Sequence, residues 1–161
     1  MEEGDRGSDQ MEMSRDISMK NISEKKIVRR RAKAEGCIIL SEGSIENIFS
    51  GVTPKGDAIA TAQIAGINAA KLTPYLIPLC HQIPLSSVKV TFERMPGRIR
   101  CVSEVEANWG TGVEMDALLS VSTALLALWD MVKENEKDER GQYPSTSIEG
   151  IRVIEKEKEG M

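Results

Sequence analysis

The sequence has little aromatic character, since its 161 residues include only two tryptophans, two tyrosines and two phenylalanines. Its core must therefore be built from aliphatic side chains and methionine, which is an ordinary globular composition. No apolar run approaches the roughly 20 residues that a membrane-spanning helix needs, and no apolar leader stands at the N-terminus. We therefore expect a soluble chain with no membrane partner.

Cysteine and histidine are scarce as well. The three cysteines, Cys37, Cys80 and Cys101, are odd in number and widely spaced, which argues against a disulfide framework and favours a reduced, cytoplasmic protein. The single histidine, His81, directly follows Cys80. Because zinc needs three or four clustered ligands, this pair alone predicts no metal site.

The net charge of −4 argues against bulk attraction to nucleic acid or to anionic membranes. A basic run at 25–31 is the local exception, and it either binds phosphate groups or is solvated at the start of a strand. The first 21 residues are polar and lack an apolar period, which predicts a flexible N-terminal segment, 1–21. The length fits one domain, placed at 22–156, with a charged tail at 157–161.

Apolar periodicity and turn residues predict the elements. They are a strand at 31–40, helices at 44–51 and 57–72, hairpin strands near 88–92 and 99–105, a helix at 111–137 and a strand at 148–154. Asp57 can cap the second helix, and Thr111 with Glu114 has the spacing of a capping box. This order predicts a ferredoxin-like β-α-β-β-α-β fold of the α+β class, an antiparallel sheet with helices on one face.

The other sheet face would then be open. Because the hairpin strands carry apolar or near-neutral residues on both faces, we expect that face to promote self-association. An RNA-binding domain of this fold would stack bases on aromatic side chains of its central strands. The hairpin offers only Phe92, so we expect no nucleic-acid partner.

Two residues stand out in loops. His81 lies in a segment bounded by Pro78 and Pro84, where it could act as a general acid, donate a hydrogen bond to a substrate, or simply bond to a nearby carbonyl. Lys55 lies in a Pro-Lys-Gly-Asp turn just before a helix, and could form an anion site or be a solvated turn lysine. The sequence pattern leaves the alternatives open for both residues.

The long helix carries further candidates. Asp130 and Lys133 are three residues apart, as in a surface ion pair. Asp116, Thr123 and Asp130 recur every seven residues, which places them on one stripe that faces either a cleft or water. Glu114 is explained equally well by helix capping.

Five motifs occur in a fixed order. They are Lys55-Gly56-Asp57, Ala62-x-Ile64-Ala65-Gly66-Ile67-x-Ala69-Ala70-Lys71, Ile77-Pro78-Leu79-Cys80-His81, Thr111-Gly112-Val113-Glu114-Met115 and Asp130-Met131-x-Lys133. Their order and spacing resemble those of the cyclic pyranopterin monophosphate synthase family, also called molybdenum cofactor biosynthesis protein C.

The resemblance implies a lyase of molybdenum cofactor biosynthesis. Its substrate would be a cyclised dihydroguanosine triphosphate derived from GTP, converted to cyclic pyranopterin monophosphate with release of pyrophosphate. It implies no cofactor beyond Mg²⁺ that could accompany the triphosphate. It also implies a homohexamer built as a trimer of dimers, with the site at the dimer interface.

The site residues of the family can be assigned to positions of this sequence through the matching motifs. The resemblance implies that Lys55 and Lys133 are the acid-base and phosphate-contacting pair and that Asp130 is the catalytic carboxylate. The residues that would line the substrate pocket are Leu79, Cys80, His81, Glu114 and Met115.

Two other kinds of protein would fit the same fold. One is a non-catalytic nucleotide- or RNA-binding module that uses the basic run 25–31 and does not need Lys133. The other is a scaffold without activity, suggested only by Asp116, where the family usually has glutamate. Gln82 is the second departure, because the family usually has proline there.

Overall fold

The computed structural model describes residues 16–160, so the predicted segment 1–21 lies mostly outside the described residues. The chain forms, in order, β1 (Val28–Ile39), α1 (Glu42–Ser50), α2 (Ala58–Lys71), α3 (Thr73–Leu76), β2 (Leu85–Met95), β3 (Arg98–Trp109), α4 (Glu114–Glu136) and β4 (Ser147–Lys158). The strands form one sheet in the order β2-β3-β1-β4, and every neighbouring pair is antiparallel. Helices cover one face, which confirms the predicted ferredoxin-like α+β fold.

Local signals explain where the first helices begin and end. The Ser41 side chain accepts a hydrogen bond from the Ser44 amide at 3.2 Å at the start of α1, and Gly51 ends that helix in the left-handed region at φ 74°. Asp57 accepts from the Ala60 amide at 2.9 Å, so its predicted role as the cap of α2 is confirmed.

Helix α4 packs across the sheet and forms much of the core. Leu125 and Leu128 are fully buried against aliphatic residues of β1 and β3. Gly36 on β1 permits this approach, because a Cβ atom there would lie 2.9 Å from Leu125 Cδ1. By length and composition alone, α4 could cross a membrane; its contacts with the sheet are those of the core helix of a soluble protein.

The predicted capping box at the start of α4 is wrong. Val113 is the N-cap, and no side chain caps the helix. The Glu114 carboxylate instead pairs with Lys156 Nζ on β4 at 2.5 Å. The Glu114 carboxylate was predicted from its spacing to cap the helix. It instead forms an ion pair with a lysine from a strand that is distant in sequence.

The sheet face turned away from the helices, here called the open face, is strongly charged, so the prediction of an apolar or near-neutral face is wrong. On β1 the buried residues alternate with partly exposed ones, and the latter include Lys33 and Glu35. Glu35 pairs with Arg100 at 2.5 Å and with Arg152 at 2.7 Å, and Lys33 pairs with Glu104 at 3.2 Å. Side chains alternate between the two faces of a strand, and the alanines of β1 are buried on the helix side. The charged residues between them therefore lie on the open face.

Glu136, the last residue of α4, ties three segments together. Its buried carboxylate accepts from the Ser41 hydroxyl at 2.7 Å, the Ser44 hydroxyl at 2.5 Å and the Thr146 hydroxyl at 2.7 Å. The Ser41 amide also donates to it at 3.1 Å. This carboxylate thus joins the start of α1, the end of α4 and the segment before β4.

Candidate active site

The three predicted catalytic residues meet at one place. Asp130 projects from the C-terminal half of α4, Lys133 lies one turn further on, and Lys55 lies in the turn before α2. Lys55 Nζ is 2.8 Å from Asp130 Oδ2, and Lys133 Nζ is 3.0 Å from Asp130 Oδ1. The carboxylate therefore bridges two ammonium groups, one of them from a residue 75 positions away in the sequence.

The electrostatics of this cluster suit anion chemistry. The hydrogen bonds from Lys55 and then Lys133, followed by the charges of the two lysines, lower the pKa of Asp130 below its usual value. All three side chains are 39–56% exposed, so a ligand can reach them. Two ammonium groups held about one carboxylate present a net positive site with a proton acceptor at its centre.

The predicted pocket residues lie at the other end of α4. Glu114 and Met115 are the first two residues of the helix. The Cys80 thiol lies near them, and its pKa is raised first by burial and then by the charges of Asp116 and Glu114. Leu79 and Met115 are 48% and 45% exposed. The structure therefore gathers these pocket residues into a second cluster, separate from the lysines.

His81 is engaged by the N-terminal part of the described chain. Its Nε2 lies 2.6 Å from the Lys20 carbonyl oxygen. A carbonyl can only accept, so the histidine donates from Nε2. Of the alternatives open at the sequence level, the bond to a nearby carbonyl is the one this chain makes.

Gly112 leaves room for the Glu114 side chain. A Cβ atom at residue 112 would collide with the Glu114 carboxylate, which Lys156 holds in place. Burial acts to raise the pKa of Glu114, but the hydrogen bond from Lys156 and the charges of Lys156 and Arg30 lower it overall. Glu114 is thus held ionised by a partner on β4.

We expect Gly112→Ala to displace the Glu114 carboxylate and weaken substrate binding about tenfold, a loss typical of one charge-assisted contact. Gly43→Ala is the matched control, because a Cβ atom at residue 43 meets nothing within 4 Å. Substrate titration of both variants checks the effect. Equal affinities in the two variants would contradict it.

Basic residues surround a cavity beside this second cluster. The cavity, of about 520 Å³, is lined in part by Lys25, Lys26, Arg30 and Lys158. Arg30 is buried, donates to the Gly110 carbonyl oxygen at 3.4 Å and leaves its Nε without a partner among residues 16–160. The charge of Lys20 lowers the pKa of Lys25. Such crowded positive charge favours an anion.

The stripe of Asp116, Thr123 and Asp130 does not face one cleft. Asp116 is 2% exposed, whereas the Asp130 side chain is 56% exposed. The reason is that α3 packs near the first turn of α4, while Asp130 emerges beside the turn that carries Lys55.

The two clusters are far apart within one chain. Glu114 and Asp130 are 16 residues apart on α4, which places their backbones about 24 Å apart at the rise of an α-helix. The predicted site residues therefore form two half-sites: Lys55, Asp130 and Lys133 in one, and the 79–81 loop with Glu114 and Met115 in the other.

Lys156 and Lys158 are candidate site residues that the sequence reasoning missed. The last strand was predicted at 148–154, but β4 continues to Lys158. The signal was the alternation Glu155-Lys156-Glu157-Lys158, whose period of two puts both lysines on one face of a strand. Phe92 and Trp109, the aromatic residues of the hairpin, both pack against the core, so the RNA-binding alternative gains no support.

Comparison with known proteins gives a consistent result. The family model described as the MoaC family matches residues 19–159. A protein from Thermococcus onnurineus named "Probable cyclic pyranopterin monophosphate synthase" is 55% identical over 143 residues, 89% of this chain and 92% of its own length. Proteins of the same name from Thermococcus kodakarensis and Archaeoglobus fulgidus are 56% and 52% identical, covering 88% and 89% of this chain and 91% and 92% of their own lengths.

Proposed function

Because the chain belongs to the MoaC family, we propose that it is a cyclic pyranopterin monophosphate synthase. In this reaction a cyclised dihydroguanosine triphosphate becomes cyclic pyranopterin monophosphate, and pyrophosphate leaves. The substrate is a polyanion, and the ring rearrangement requires protons to move. The enzyme must therefore supply both positive charge and groups that exchange protons.

The observation that carries the proposal is the Asp130 carboxylate held between Lys55 Nζ and Lys133 Nζ at 2.8 Å and 3.0 Å. Each ammonium can contact a phosphate oxygen or give up a proton. The carboxylate fixes the two lysines in position and can accept a proton in turn. We propose these three residues as the catalytic group.

The second half-site supplies the rest of the pocket. The 79–81 loop, Glu114 and Met115 would line the space for the purine-derived ring. The cavity with Arg30 and Lys158 would hold phosphate oxygens, because guanidinium and ammonium groups bind phosphate through charge-assisted hydrogen bonds.

We further propose that the working site is completed by a second copy of the chain. A separation of about 24 Å along α4 prevents one nucleotide-sized ligand from contacting Glu114 and Asp130 of the same subunit. Large apolar side chains are also exposed beside the 79–81 loop, among them Leu72, Tyr75 and Leu76, and such patches mark interaction surfaces. A dimer, assembled further into a hexamer as a trimer of dimers, would bring the half-sites together.

Mixing two inactive variants tests this arrangement. Lys133→Ala damages one half-site and Glu114→Gln the other, so a mixed dimer contains one site built entirely from intact halves. After co-expression in equal amounts, we expect roughly a quarter of the normal activity, since half of the dimers are mixed and each has one good site of two. If each site lay within one chain, mixing would restore nothing.

The activity itself is tested by incubating the intact protein with enzymatically prepared cyclised dihydroguanosine triphosphate. We expect stoichiometric pyrophosphate and a pterin product. Absence of both from a folded, fully assembled protein would refute the enzyme proposal.

Both half-sites are rich in ammonium and guanidinium groups, which repel a free divalent cation. We therefore propose that the protein has no resident cofactor and that any Mg²⁺ arrives with the triphosphate. We also propose a cytoplasmic location, supported by three cysteines that are all free thiols, as expected in a reducing compartment.

A further inference from the structure

The backbone on both sides of His81 is anchored. Before it, the Cys80 amide donates to the Ile77 carbonyl oxygen at 3.0 Å. After it, Ile83 is 8% exposed and belongs to the hydrophobic core. The fold therefore sets the position of the His81 backbone, and the freedom that remains is rotation of the ring about its side-chain bonds.

The chain that precedes β1 reaches this ring. Residues 16–27, here called the strap, contain no helix or strand. Lys25 and Lys26 of the strap line the basic cavity of about 520 Å³. The Lys20 carbonyl oxygen lies 2.6 Å from His81 Nε2, although the two residues are 61 positions apart in the sequence. The strap thus belongs to the second half-site and contacts its histidine directly.

Two turns and one packing contact hold the strap in place. Asn21 Oδ1 accepts a hydrogen bond from the Ser23 amide at 2.9 Å, the local turn that an asparagine side chain forms with the backbone two residues on. The Lys25 amide donates to the carbonyl oxygen three residues back at 3.0 Å. The Lys25 Cβ atom lies 3.5 Å from the position that a Cβ atom would take at Gly110. Lys20 therefore directly precedes an ordered turn, which directs its carbonyl group.

The contact with Lys20 decides which imidazole nitrogen is available to a ligand. A carbonyl oxygen only accepts hydrogen bonds, so Nε2 carries the proton, and Nδ1 of the neutral ring holds a lone pair. Among residues 16–160, the bond to Lys20 is the hydrogen bond that this ring makes, which leaves Nδ1 free. The His81 side chain is half-buried, so a ligand can still reach it.

We propose that the strap is a positioning element for His81. The Lys20 carbonyl holds the ring through Nε2–H, and Nδ1 accepts a hydrogen bond from an N–H or O–H group of the substrate. The purine-derived ring and the ribose carry such donors, whereas a phosphate oxygen without a proton can only accept and is not the partner of Nδ1. The contact with substrate rests on the proposed function, whereas the hold on the ring does not.

Nuclear magnetic resonance of the full chain tests the hold. Because His81 is the only histidine, isotope labelling of imidazole nitrogens gives signals from this ring alone. An imidazole N–H open to water exchanges quickly and gives no one-bond nitrogen–proton signal. Without substrate, at about pH 8 where an ordinary histidine is neutral, we expect a protected signal from Nε2–H and an unprotonated Nδ1. Absence of a protected signal, or a proton on Nδ1, would overturn the proposal.

Two variants at one position show whether the strap is the cause. Asn21→Ala removes the acceptor of the turn that follows Lys20, and exchange of the Nε2 proton should become about 2- to 10-fold faster, the range for one hydrogen bond. Asn21→Asp keeps an acceptor in the same place and should restore slow exchange. Exchange in Asn21→Ala as slow as in the unmodified protein would show that the strap does not position the ring.

The substrate contact is tested in the Lys133→Ala variant, in which turnover is expected to be slow. Adding cyclised dihydroguanosine triphosphate should shift the Nδ1 resonance and leave the protected Nε2–H signal in place. Loss of that signal on binding would show that substrate displaces the strap, and an unchanged Nδ1 resonance with substrate bound would refute the contact at Nδ1. If the compound does not bind, the proposed function fails, while the hold is still decided by the spectra without substrate.

Discussion

Lys133→Ala is expected to lower kcat/KM for pyrophosphate release by about 10²- to 10⁴-fold, the range for losing one positioned proton-transfer group. The Lys133 ammonium is 3.0 Å from Asp130 Oδ1 and is one of only two cations that the carboxylate contacts among the described residues. Its loss removes positive charge from the phosphate and disturbs the carboxylate at once. Steady-state assays of pyrophosphate and pterin formation measure the effect.

Lys137→Ala is the matched control. Lys137 lies one turn further along the chain and pairs with Glu134 at 2.9 Å through the same three-residue spacing, so it loses an equivalent surface ion pair. Such exposed pairs contribute at most about 1 kcal/mol to stability, and neither variant should unfold. Equal activities of the two variants would show that Lys133 is merely a surface lysine and would favour a non-catalytic protein.

Much of the fold was predictable because its signals are local. Asp57 caps α2 through an amide three residues away, and the hairpin strands follow a simple alternation on either side of a short turn. By contrast, the meeting of Lys55 with Asp130 joins residues 75 positions apart. Composition and periodicity do not indicate that these two residues lie close together in space. Only the resemblance to a family predicted that they belong to one site.

The errors have a common physical cause, which is that a distant element overrides a local preference. Glu114 has the spacing of a capping residue, but Lys156 from β4 provides a full charge and takes the carboxylate. Asp116 has the ordinary place of an acidic residue in a first helical turn, yet α3 covers it. In both cases the residue that determines the environment of the carboxyl group belongs to another element, so the sequence of α4 alone does not reveal it.

The prediction for the open face was wrong for a similar reason, because it considered only part of the sheet. The hairpin alone suggested an apolar or near-neutral surface, since Thr91 and Val102 lie on it. The hairpin itself carries part of the charge, at Arg100 and Glu104 of β3. The strands β1 and β4, which are remote from it in sequence, add the rest, and they bring Lys33 and Glu155 within 3.2 Å of each other. Only strand order shows that these charges share the face.

Glu136→Ala is expected to lower the free energy of unfolding by about 1.5–3 kcal/mol, the range for losing hydrogen bonds to a charged group. The carboxylate is 7% exposed and accepts from the hydroxyls of Ser41, Ser44 and Thr146. Its removal leaves these donors without that partner in a buried site. Chemical denaturation at one fixed protein concentration measures the loss, since the proposed assembly would make stability concentration-dependent.

The pH dependence of this loss identifies the carboxylate as its source. Burial acts to raise the pKa of Glu136, but the hydrogen bonds from Ser44, Thr146 and Ser41 lower it overall. A carboxyl whose pKa is lower in the folded state stabilises the fold above its unfolded pKa of about 4.3, and loses that contribution as the pH falls through the folded value. The stability difference between the unmodified protein and Glu136→Gln should therefore be largest near neutrality and shrink below about pH 4. Glu139→Gln, at an exposed position in the turn after the helix, is the control and should show no such pH-dependent difference in stability. A loss of stability in Glu136→Gln that does not change with pH would show that packing, and not charge, causes the effect.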